Sequence, residues 1–276
     1  MSFRGGGFRA SFYHIGVLAR MAELGMLKHV DVISTVSGGS IVGAAYYLLR
    51  KRLLESKPDK AAGAGATALD DSDYVTLVED LEAHFLQAVQ KNLRMRTFAN
   101  PLKNMRMSLP NYSRSDAIGE LYEKHIYRPL IKTGDRPIMM SDLLIDPEGV
   151  PTGKFHPCDE TYGNATRTHK VPILVLNATS LNSGHNWCFT ARWMGEVPPR
   201  NLYVRDIDKK DRYRRVRYEQ IKTRDKDFGL GYAVAASAGV PGLFPPMAVS
   251  DLYLDKRVQL VDGGVFDNQG IVGVLD

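Results

Sequence analysis

The strongest constraint on the fold is a glycine-rich turn between a strand-like run and a helix-like run. The stretch STVSGGSIVG, residues 34–43, follows an apolar segment rich in β-branched residues and opens onto a helical pattern. In a strand, turn and helix unit, the residue in the turn projects from the carboxyl edge of the sheet, and the next N–H lies at the positive end of a helix. The sequence therefore predicts that Ser37 sits at such an edge.

Strand and helix patterns alternate along the rest of the chain. We predict strands at His29–Val36, which is β-branched and bounded by turns, at Val171–Thr179, which is almost continuously apolar, and at Arg257–Gly264, which ends in a double glycine. Arg9–Gly25 and Ser40–Leu54 carry apolar residues at helical spacing. Apolar strands of this kind suit buried parallel pairing, and their alternation with helices favours a layered α/β sheet.

Further helices are expected in the middle of the chain. A strongly periodic run follows Ser72 and Asp73, which can cap it, and another capped helix is expected from Ser115. We predict a single domain over residues 1–276, with an insertion resembling a cap or lid at about residues 55–140.

The composition is that of an ordinary globular protein with a modest positive charge. The 276 residues include 36 Lys or Arg and 31 Asp or Glu, a net charge of +5, which leans towards anionic partners such as phospholipid surfaces. Cys158 and Cys188 have neither disulfide-scaffold nor zinc-ligand spacing. No secretory signal or membrane-spanning run is seen in this stretch, and glycine turns near both ends indicate a domain cut from a longer chain. We therefore expect a cytoplasmic or peripheral membrane location.

Two more glycine-rich turns carry groups that suit chemistry. RGGGFR, residues 4–9, follows a short first strand, and its N–H groups can approach a developing oxyanion or a phosphate because glycine has no Cβ. VDGGVFDNQGI, residues 261–271, places Asp262 at the end of a strand, with two glycines that let the chain fold tightly around it. Together with Ser37, these turns supply a hydroxyl, an oxyanion hole and an acid partner.

The surroundings of Ser37 depart from the usual nucleophile elbow at one position. The G-x-S-x-G elbow needs small residues two positions either side of the serine, since strand and helix approach closely there. Gly39 fits this pattern, whereas Thr35 stands where the first glycine is expected. On packing alone, Thr35→Gly is expected to be tolerated or to raise activity. A simpler alternative is that Ser37 or Ser40 only caps the helix.

Five stretches in matching order resemble the patatin-like phospholipase family over essentially the whole chain. GGGFRA is similar to the family's oxyanion-hole loop, VSGGS to its nucleophile elbow and DGGVFDNQG to its Asp-Gly-Gly turn. ILVLNATSLNSG and AASAGVPGLFPPM look like its internal strand and its Ala-Ser-rich helix. The resemblance implies a three-layer α/β/α sandwich with a mainly parallel central sheet, and hydrolysis of lipid acyl esters by a Ser-Asp dyad.

The resemblance also implies roles for individual residues. Ser37 would be the nucleophile and Asp262 the base, acting through an acyl-enzyme. The implied oxyanion-hole residues are Gly5, Gly6, Gly7 and Gly38. The residues expected to support the site are Arg9, Gly39, Gly263 and Gly264. The implied activity is that of a serine carboxylic ester hydrolase of the phospholipase A or lysophospholipase type, which needs no metal and no cofactor.

Other functions stay open as alternatives. If Thr35 tilts Ser37 away from the ester, the chain would instead be a catalytically impaired lipid-binding module. RGGGFR could cradle a phosphate, but no nucleotide-binding pattern accompanies it. Acidic residues interrupt the basic stretch 205–226, so we expect no nucleic-acid binding. A histidine as third catalytic member is a further alternative, although none of the 7 histidines adjoins either motif.

A basic and apolar stretch is the predicted membrane contact. Residues 91–114 contain no acidic residue, and their cations are interleaved with Leu, Met and Phe and divided by two prolines. Cations meet lipid phosphates while flexible apolar side chains enter the acyl boundary. The alternative is that the apolar residues are core and the cations solvated. We predict a lid that touches an anionic membrane surface through Arg94, Arg96, Phe98, Lys103 and Arg106.

Overall fold

A helix-flanked β-sheet organises the chain, as the sequence predicts for an α/β protein. The computed structural model describes residues 1–59, 68–99, 112–131, 136–197, 213–221, 228–253 and 256–275. Over these ranges the strands are β1 (Ser2–Phe3), β2 (Val32–Val36), β3 (Ile173–Ser180), β4 (Asn186–Phe189), β5 (Trp193–Glu196), β6 (Val216–Arg217), β7 (Met247–Tyr253) and β8 (Lys256–Asp262). All of them belong to one sheet.

The sheet begins with parallel pairing and continues with antiparallel pairing. β1 pairs with β2, and β2 with β3, in parallel. The described strand-to-strand pairings that involve β4 to β8 are antiparallel, and a single parallel bridge joins Glu196 at the end of β5 to Arg214. The prediction of a mainly parallel sheet therefore holds for the first three strands only. The reason lies in the connections: residues 181–185 and 190–192 join β3, β4 and β5, and such short loops allow hairpins but not the crossovers that parallel strands need.

One edge of β3 holds two strands end to end. β2 runs parallel to β3 along this edge and finishes with Val36 opposite Asn177. β8 runs in the opposite direction and finishes with Asp262 opposite Ala178. β4 pairs with the same stretch of β3 and so occupies the other edge. The carboxyl ends of β2 and β8 therefore meet at neighbouring residues of β3, which brings Ser37, the residue after Val36, to the end of β8.

Helices cover the sheet. In the described ranges they are α1 (Gly7–Glu23), α2 (Gly38–Ser56), α3 (Asp71–Val89), α4 (Leu93–Ala99), α5 (Arg114–Tyr122), α6 (Arg128–Ile131), α7 (Leu230–Ser237), α8 (Gly264–Asp267) and α9 (Val272–Leu275). A π-helical turn, Glu123–Tyr127, joins α5 to α6. Single 3-10 turns occur at Leu27–His29, Met140–Leu143, Asn164–Thr166 and Tyr218–Gln220. None of the described helices is both long and apolar enough to span a bilayer.

The starts of α3 and α5 lie slightly earlier than the sequence predicts. The N-cap of α3 is Asp70, whose carboxylate accepts the N–H groups of Ser72 and Asp73, while the Asp73 carboxylate accepts the Asp70 N–H. The N-cap of α5 is Ser113, which forms the same reciprocal box with the residue three positions on. Both boxes satisfy N–H groups that a helix start leaves without partners, so they fix where each helix begins.

Helix α2, which begins directly after Ser37, is largely buried. Ile41, Tyr46 and Leu48 are fully buried, as is Arg50, whose guanidinium donates to the carbonyl oxygens of Val30 and Lys170. A helix segment that is apolar on nearly every side has to lie inside the protein, and its one fully buried charged group, Arg50, finds partners there. The start of α2, where Ser37 lies, is therefore held by the core.

The predicted cap insertion, residues 55–140, contains a helix that packs directly on the core. α3 lies against α1 and α2. Phe85 of α3 is fully buried and its ring meets those of Phe8 and Phe12 of α1 edge to face, with centroids 6.3 and 5.6 Å apart. α3 is thus part of the helical layer, and only the later part of the insertion is left as a candidate cap.

Candidate active site

Ser37 occupies a strained backbone conformation between β2 and α2. Its φ is 53° and its ψ is −122°, and its side chain is 5% exposed. Among the described non-glycine residues, only Asn92 shares a positive φ. A side chain in this region costs of order 1 to 3 kcal/mol and persists only where the surroundings impose it. This sharp strand-to-helix turn is the backbone geometry that a nucleophile elbow requires.

The helix start packs against the first glycine loop with no room for a side chain. A Cβ on Gly38 would lie 2.0 Å from the carbonyl oxygen of Gly7, and one on Gly39 would lie 2.3 Å from that of Phe3. Both distances are far below any real contact, so glycine is required at both positions. The predicted elbow and the predicted oxyanion loop are consequently in backbone contact.

Thr35 fits this site because a glycine on helix α2, Gly43, leaves room for its side chain. Thr35 is fully buried, and its Cγ2 lies 2.5 Å from where a Cβ on Gly43 would be. Its hydroxyl lies 3.2 Å from the Val175 carbonyl oxygen and 2.9 Å from Ser40 Oγ. Thr35→Gly would remove these contacts and loosen a strand, so we now expect it to lower stability and activity rather than to raise activity.

The glycine loop carries backbone N–H groups close to the elbow. Gly6 and Gly7 have φ values of 140° and 63°, in the left-handed region that favours glycine. Gly7 and Gly38 are the first residues of α1 and α2, so their N–H groups have no acceptor within their own helices. Gly5 does not fit the predicted donor role, because its N–H donates to the Asn268 carbonyl at 3.0 Å.

Asp262 is a buried carboxylate with one free oxygen. The residue is 5% exposed, and its Oδ1 accepts the Gly264 N–H at 2.8 Å. Its Oδ2 has no aligned hydrogen-bond partner in the described part of the chain. Burial raises the pKa of Asp262 above its ordinary value of 3.8, while the nearby Ser37 hydroxyl and the Gly264 N–H oppose that rise. The serine is thus close enough to act on this pKa, and alignment with Oδ2 can follow when substrate binds.

The third-histidine alternative finds no support in the described residues. No hydrogen bond there joins a histidine to Ser37 or Asp262, and the pKa of Asp262 responds to no histidine. The histidine in α1, His14, instead lies with its Nε2 3.2 Å from the Arg4 carbonyl oxygen, beneath the glycine loop. Its burial lowers its pKa, so the ring is a neutral support for that loop.

Sequence reasoning missed the side chains that hold the turns together. Ser237 Oγ accepts the Ser37 N–H at 3.1 Å, and the Ser237 carbonyl accepts the Gly263 N–H at 3.1 Å. Ser11 Oγ donates to the Gly38 carbonyl at 2.6 Å. Ser237 lies in the Ala-Ser-rich stretch that the sequence singles out, but Ser11 lies on an ordinary helix and carries no sequence signal.

The remaining predicted residues are placed as follows. Arg9 is exposed on α1, and Gly263 packs so tightly that a Cβ would lie 2.3 Å from the Asn177 carbonyl oxygen. α4 contains three of the lid candidates, with Arg96 exposed, whereas Lys103 and Arg106 lie outside the described residues. Across the described ranges, no group of acidic, histidine or cysteine side chains has the arrangement of a metal site.

The model of one protein family matches nearly the whole chain. A family model described as Patatin-like phospholipase matches residues 1–274 of the chain. The match includes all three glycine-rich turns, and therefore both Ser37 and Asp262. Searches of curated proteins and of solved structures gave no match.

Proposed function

Because the chain belongs to the patatin-like phospholipase family, which implies hydrolysis of lipid acyl esters, we propose that it cleaves lipid carboxylic esters with a dyad of Ser37 and Asp262. The observation that carries this proposal is the meeting of β2 and β8 end to end on β3, which sets the strained serine against a buried carboxylate. The proposed subtype is a phospholipase A or a lysophospholipase.

The first half-reaction transfers the acyl group to the enzyme. Ser37 Oγ attacks the ester carbonyl carbon, and its proton passes to the free oxygen of Asp262. The carbonyl oxygen becomes an oxyanion. When the intermediate collapses, the bond to the alcohol breaks and the alcohol leaves with the proton from Asp262. Burial helps the attack by Ser37, since a carboxylate with a raised pKa is the stronger base.

The second half-reaction releases the acyl group. A water molecule attacks the acyl-enzyme while Asp262 takes its proton, and collapse returns that proton to Ser37 Oγ. The products are a carboxylic acid and the free enzyme.

Backbone N–H groups are the proposed source of oxyanion stabilisation. Gly38 supplies the N–H after the nucleophile, and Gly6 and Gly7 supply those of the neighbouring loop. Each well-aimed donor contributes on the order of 3 kcal/mol in the transition state. Because Gly38 packs on Gly7, the two sources lie next to each other.

Exposed apolar side chains around Asp262 support contact with a lipid surface. Val265 and Phe266, which follow the Asp262 turn in α8, are 56% and 45% exposed. Leu243, which is 57% exposed, lies in the turn after Gly239, whose carbonyl accepts the Asp262 N–H at 3.0 Å. Apolar side chains beside a site can enter the acyl boundary of a membrane. We propose that this rim, together with the exposed Met95 and Arg96 of α4, meets an anionic membrane.

The test is mass spectrometry of the products from mixed lipid vesicles, with Ser37→Ala and Asp262→Asn beside the wild type. The proposal predicts free fatty acid and a deacylated lipid from the wild type, and loss of nucleophile costs about a million-fold in turnover. Vesicle binding without any product would instead favour the impaired lipid-binding module. Activity kept by Ser37→Ala would exclude the proposed dyad.

A further inference from the structure

A mostly apolar cavity of about 270 Å³ lies apart from the proposed dyad. It is lined by Tyr47 of α2 and by side chains from residues 143–146, 153–158, 171–174 and 190–193. These segments are the turns that precede β3 and the loop that joins β4 to β5. The lining includes neither member of the dyad and none of the glycines of the proposed oxyanion hole.

The cavity sits at the start of β3, away from Ser37. Ile173, the first residue of β3, lines the cavity, whereas Asp262 pairs with Ala178, five residues further along the strand and roughly 16 Å away at the rise of a β-strand. Tyr47 lies ten residues after Ser37, which is roughly 15 Å along a helix. A group bound in this cavity therefore occupies a site separate from the dyad.

The lining suits a single flexible hydrocarbon chain. Phe155 and Leu174 are buried in its wall, while Leu144 and Ile173 are 43% and 39% exposed. Large apolar side chains at the edge of a cavity gain from a ligand that removes them from water. Pockets for drug-sized ligands have volumes of about 300 to 1,000 Å³. This smaller space fits one acyl chain rather than a diacyl lipid.

Positive charge gathers around Trp193, on one wall of the cavity. Arg192 lines the cavity and is exposed, and its guanidinium forms no hydrogen bond or ion pair with the described part of the chain. The Arg215 guanidinium lies 4.8 Å from the centre of the Trp193 ring. Arg217 pairs with Trp193 between β5 and β6, so the two side chains share a face of the sheet. These cations are complementary to an anionic head group.

The other polar groups of the lining narrow the choice of head group. Thr190 Oγ1 accepts the Arg192 N–H at 3.3 Å, and Asp146 Oδ1 accepts the Gly153 N–H at 3.0 Å, so both help to hold the turns. The negative charge of Asp146 disfavours a doubly charged head group such as a phosphate monoester. A carboxylate carries one charge and can accept two parallel N–H groups from the Arg192 guanidinium.

We propose that this cavity is a second ligand site, which binds a fatty acid with its chain against Ile173 and Leu174 and its carboxylate on Arg192. The proposal does not depend on the proposed function, although a fatty acid is also the acid product of that reaction.

Cys158 provides a reporter for the cavity that needs no catalysis. It lines the cavity and is exposed, whereas Cys188, the other cysteine of the chain, is buried. The rate at which N-ethylmaleimide alkylates Cys158 is followed by mass spectrometry in the Ser37→Ala protein. The probes are decanoate below its micelle concentration, decanol, butyrate and decyl phosphate. Isothermal titration calorimetry gives the Kd of each probe for the same protein.

The second site predicts that decanoate protects Cys158. At about ten times its Kd, decanoate should slow alkylation about tenfold. Decanol should bind at least about tenfold more weakly because it lacks the charge, and butyrate should not protect because it lacks the chain. Alkylation that stays fast while decanoate is bound, or no binding of decanoate, would overturn the site. Tighter binding of decanol or decyl phosphate than of decanoate would overturn the assignment of a carboxylate.

Variants of the two walls test the predicted contacts. Arg192→Gln should weaken decanoate binding at least about tenfold. The matched control is Arg52→Gln, at an exposed arginine of α2 outside the lining, which should leave the Kd unchanged. Ala191→Phe should fill the cavity and abolish protection of Cys158. Ile173→Gln, at a half-exposed position, tests the apolar wall if the melting temperature shows that Ala191→Phe folds poorly. Equal affinity in wild type and Arg192→Gln would contradict the proposal.

The outcome for the second site is separable from that for the dyad. Protection of Cys158 by decanoate in a protein whose wild type cleaves no ester would support the second site and reject the proposed function. Ester cleavage by the wild type with Cys158 unprotected would support the proposed function and reject the second site.

Discussion

The strain at Ser37 predicts that glycine at this position is more stabilising than alanine. Both Ser37→Gly and Ser37→Ala lose the hydroxyl, so the difference between them reports the backbone alone. Alanine keeps a Cβ at φ 53°, ψ −122°, which costs of order 1 to 3 kcal/mol. Glycine avoids that cost but loses about 0.5 to 1 kcal/mol through its freer unfolded chain. We therefore expect Ser37→Gly to be more stable than Ser37→Ala by about 1 kcal/mol.

Urea and thermal unfolding of the two variants measure this difference. A gain of about 1 kcal/mol corresponds to a rise in melting temperature of about 2 to 4 °C for a domain of this size class. Ser40, three residues further along and inside α2, provides a control for which the opposite order of stability is expected. There Ser40→Gly should be less stable than Ser40→Ala by about 1 kcal/mol. If Ser37→Gly is no more stable than Ser37→Ala, the elbow is not strained and the geometric argument for a nucleophile at Ser37 fails.

The glycine contact, the buried carboxylate and the apolar rim each predict a measurable effect. A Cβ on Gly38 would lie 2.0 Å from a carbonyl oxygen of the glycine loop, so Gly38→Ala should lower kcat by about 100-fold or more, whereas Gly16→Ala, where a Cβ meets no atom within 4 Å, should not. Burial raises the pKa of Asp262, so ionisation of its carboxyl group destabilises the folded state. The protonated carboxyl contributes stability below pH 3.8, and this contribution is lost as the pH rises through the raised pKa. Asp262→Asn should therefore melt higher than wild type at pH 7, with no such advantage below pH 3.8, although ester hydrolysis is lost; a lower melting temperature at pH 7 would contradict the raised pKa. Phe266→Glu should weaken sedimentation with anionic vesicles and leave hydrolysis of a soluble ester unchanged. Leu24→Glu, at a similarly exposed position at the far end of α1, should change neither. Equal vesicle binding by both variants would remove the rim from the interface.

The turns of the site could be predicted from sequence because few residue types fit them. Gly38 and Gly39 lie where any Cβ would overlap a carbonyl oxygen, so glycine at these positions indicates close packing. The same holds for Gly263 beside β3. A serine and an aspartate in such turns, each at the end of an apolar run, are visible without knowledge of the fold. Local chemistry was therefore sufficient to select Ser37 and Asp262 as candidates.

The direction of strands could not be predicted in this way. β8 and β2 are both short runs that contain β-branched residues, and such a run says nothing about which neighbour it pairs with or in which direction. Its antiparallel pairing with β3 brings Asp262 to Ser37, and it depends on contacts between residues 80 to 84 positions apart.

The buried hydrogen bonds beneath the elbow were also beyond sequence reasoning. One of them joins Ser40 to Ser237, which lies 197 positions further along the chain. Thr35 departs from the G-x-S-x-G elbow pattern because that pattern describes only local spacing. The glycine that makes room for Thr35 is Gly43, which lies on the next helix. A compensating pair of this kind becomes visible only when strand and helix are packed together.

The dyad is tested most directly by locating the covalent bond that it forms. The protein is treated with a fluorophosphonate ester, digested, and the modified residue is identified by mass spectrometry, with labelling rates measured in parallel for Asp262→Asn. The account predicts one label per chain on Ser37, and labelling at least about 100-fold slower without the base. A label on a different residue, or an undiminished rate in Asp262→Asn, would contradict it.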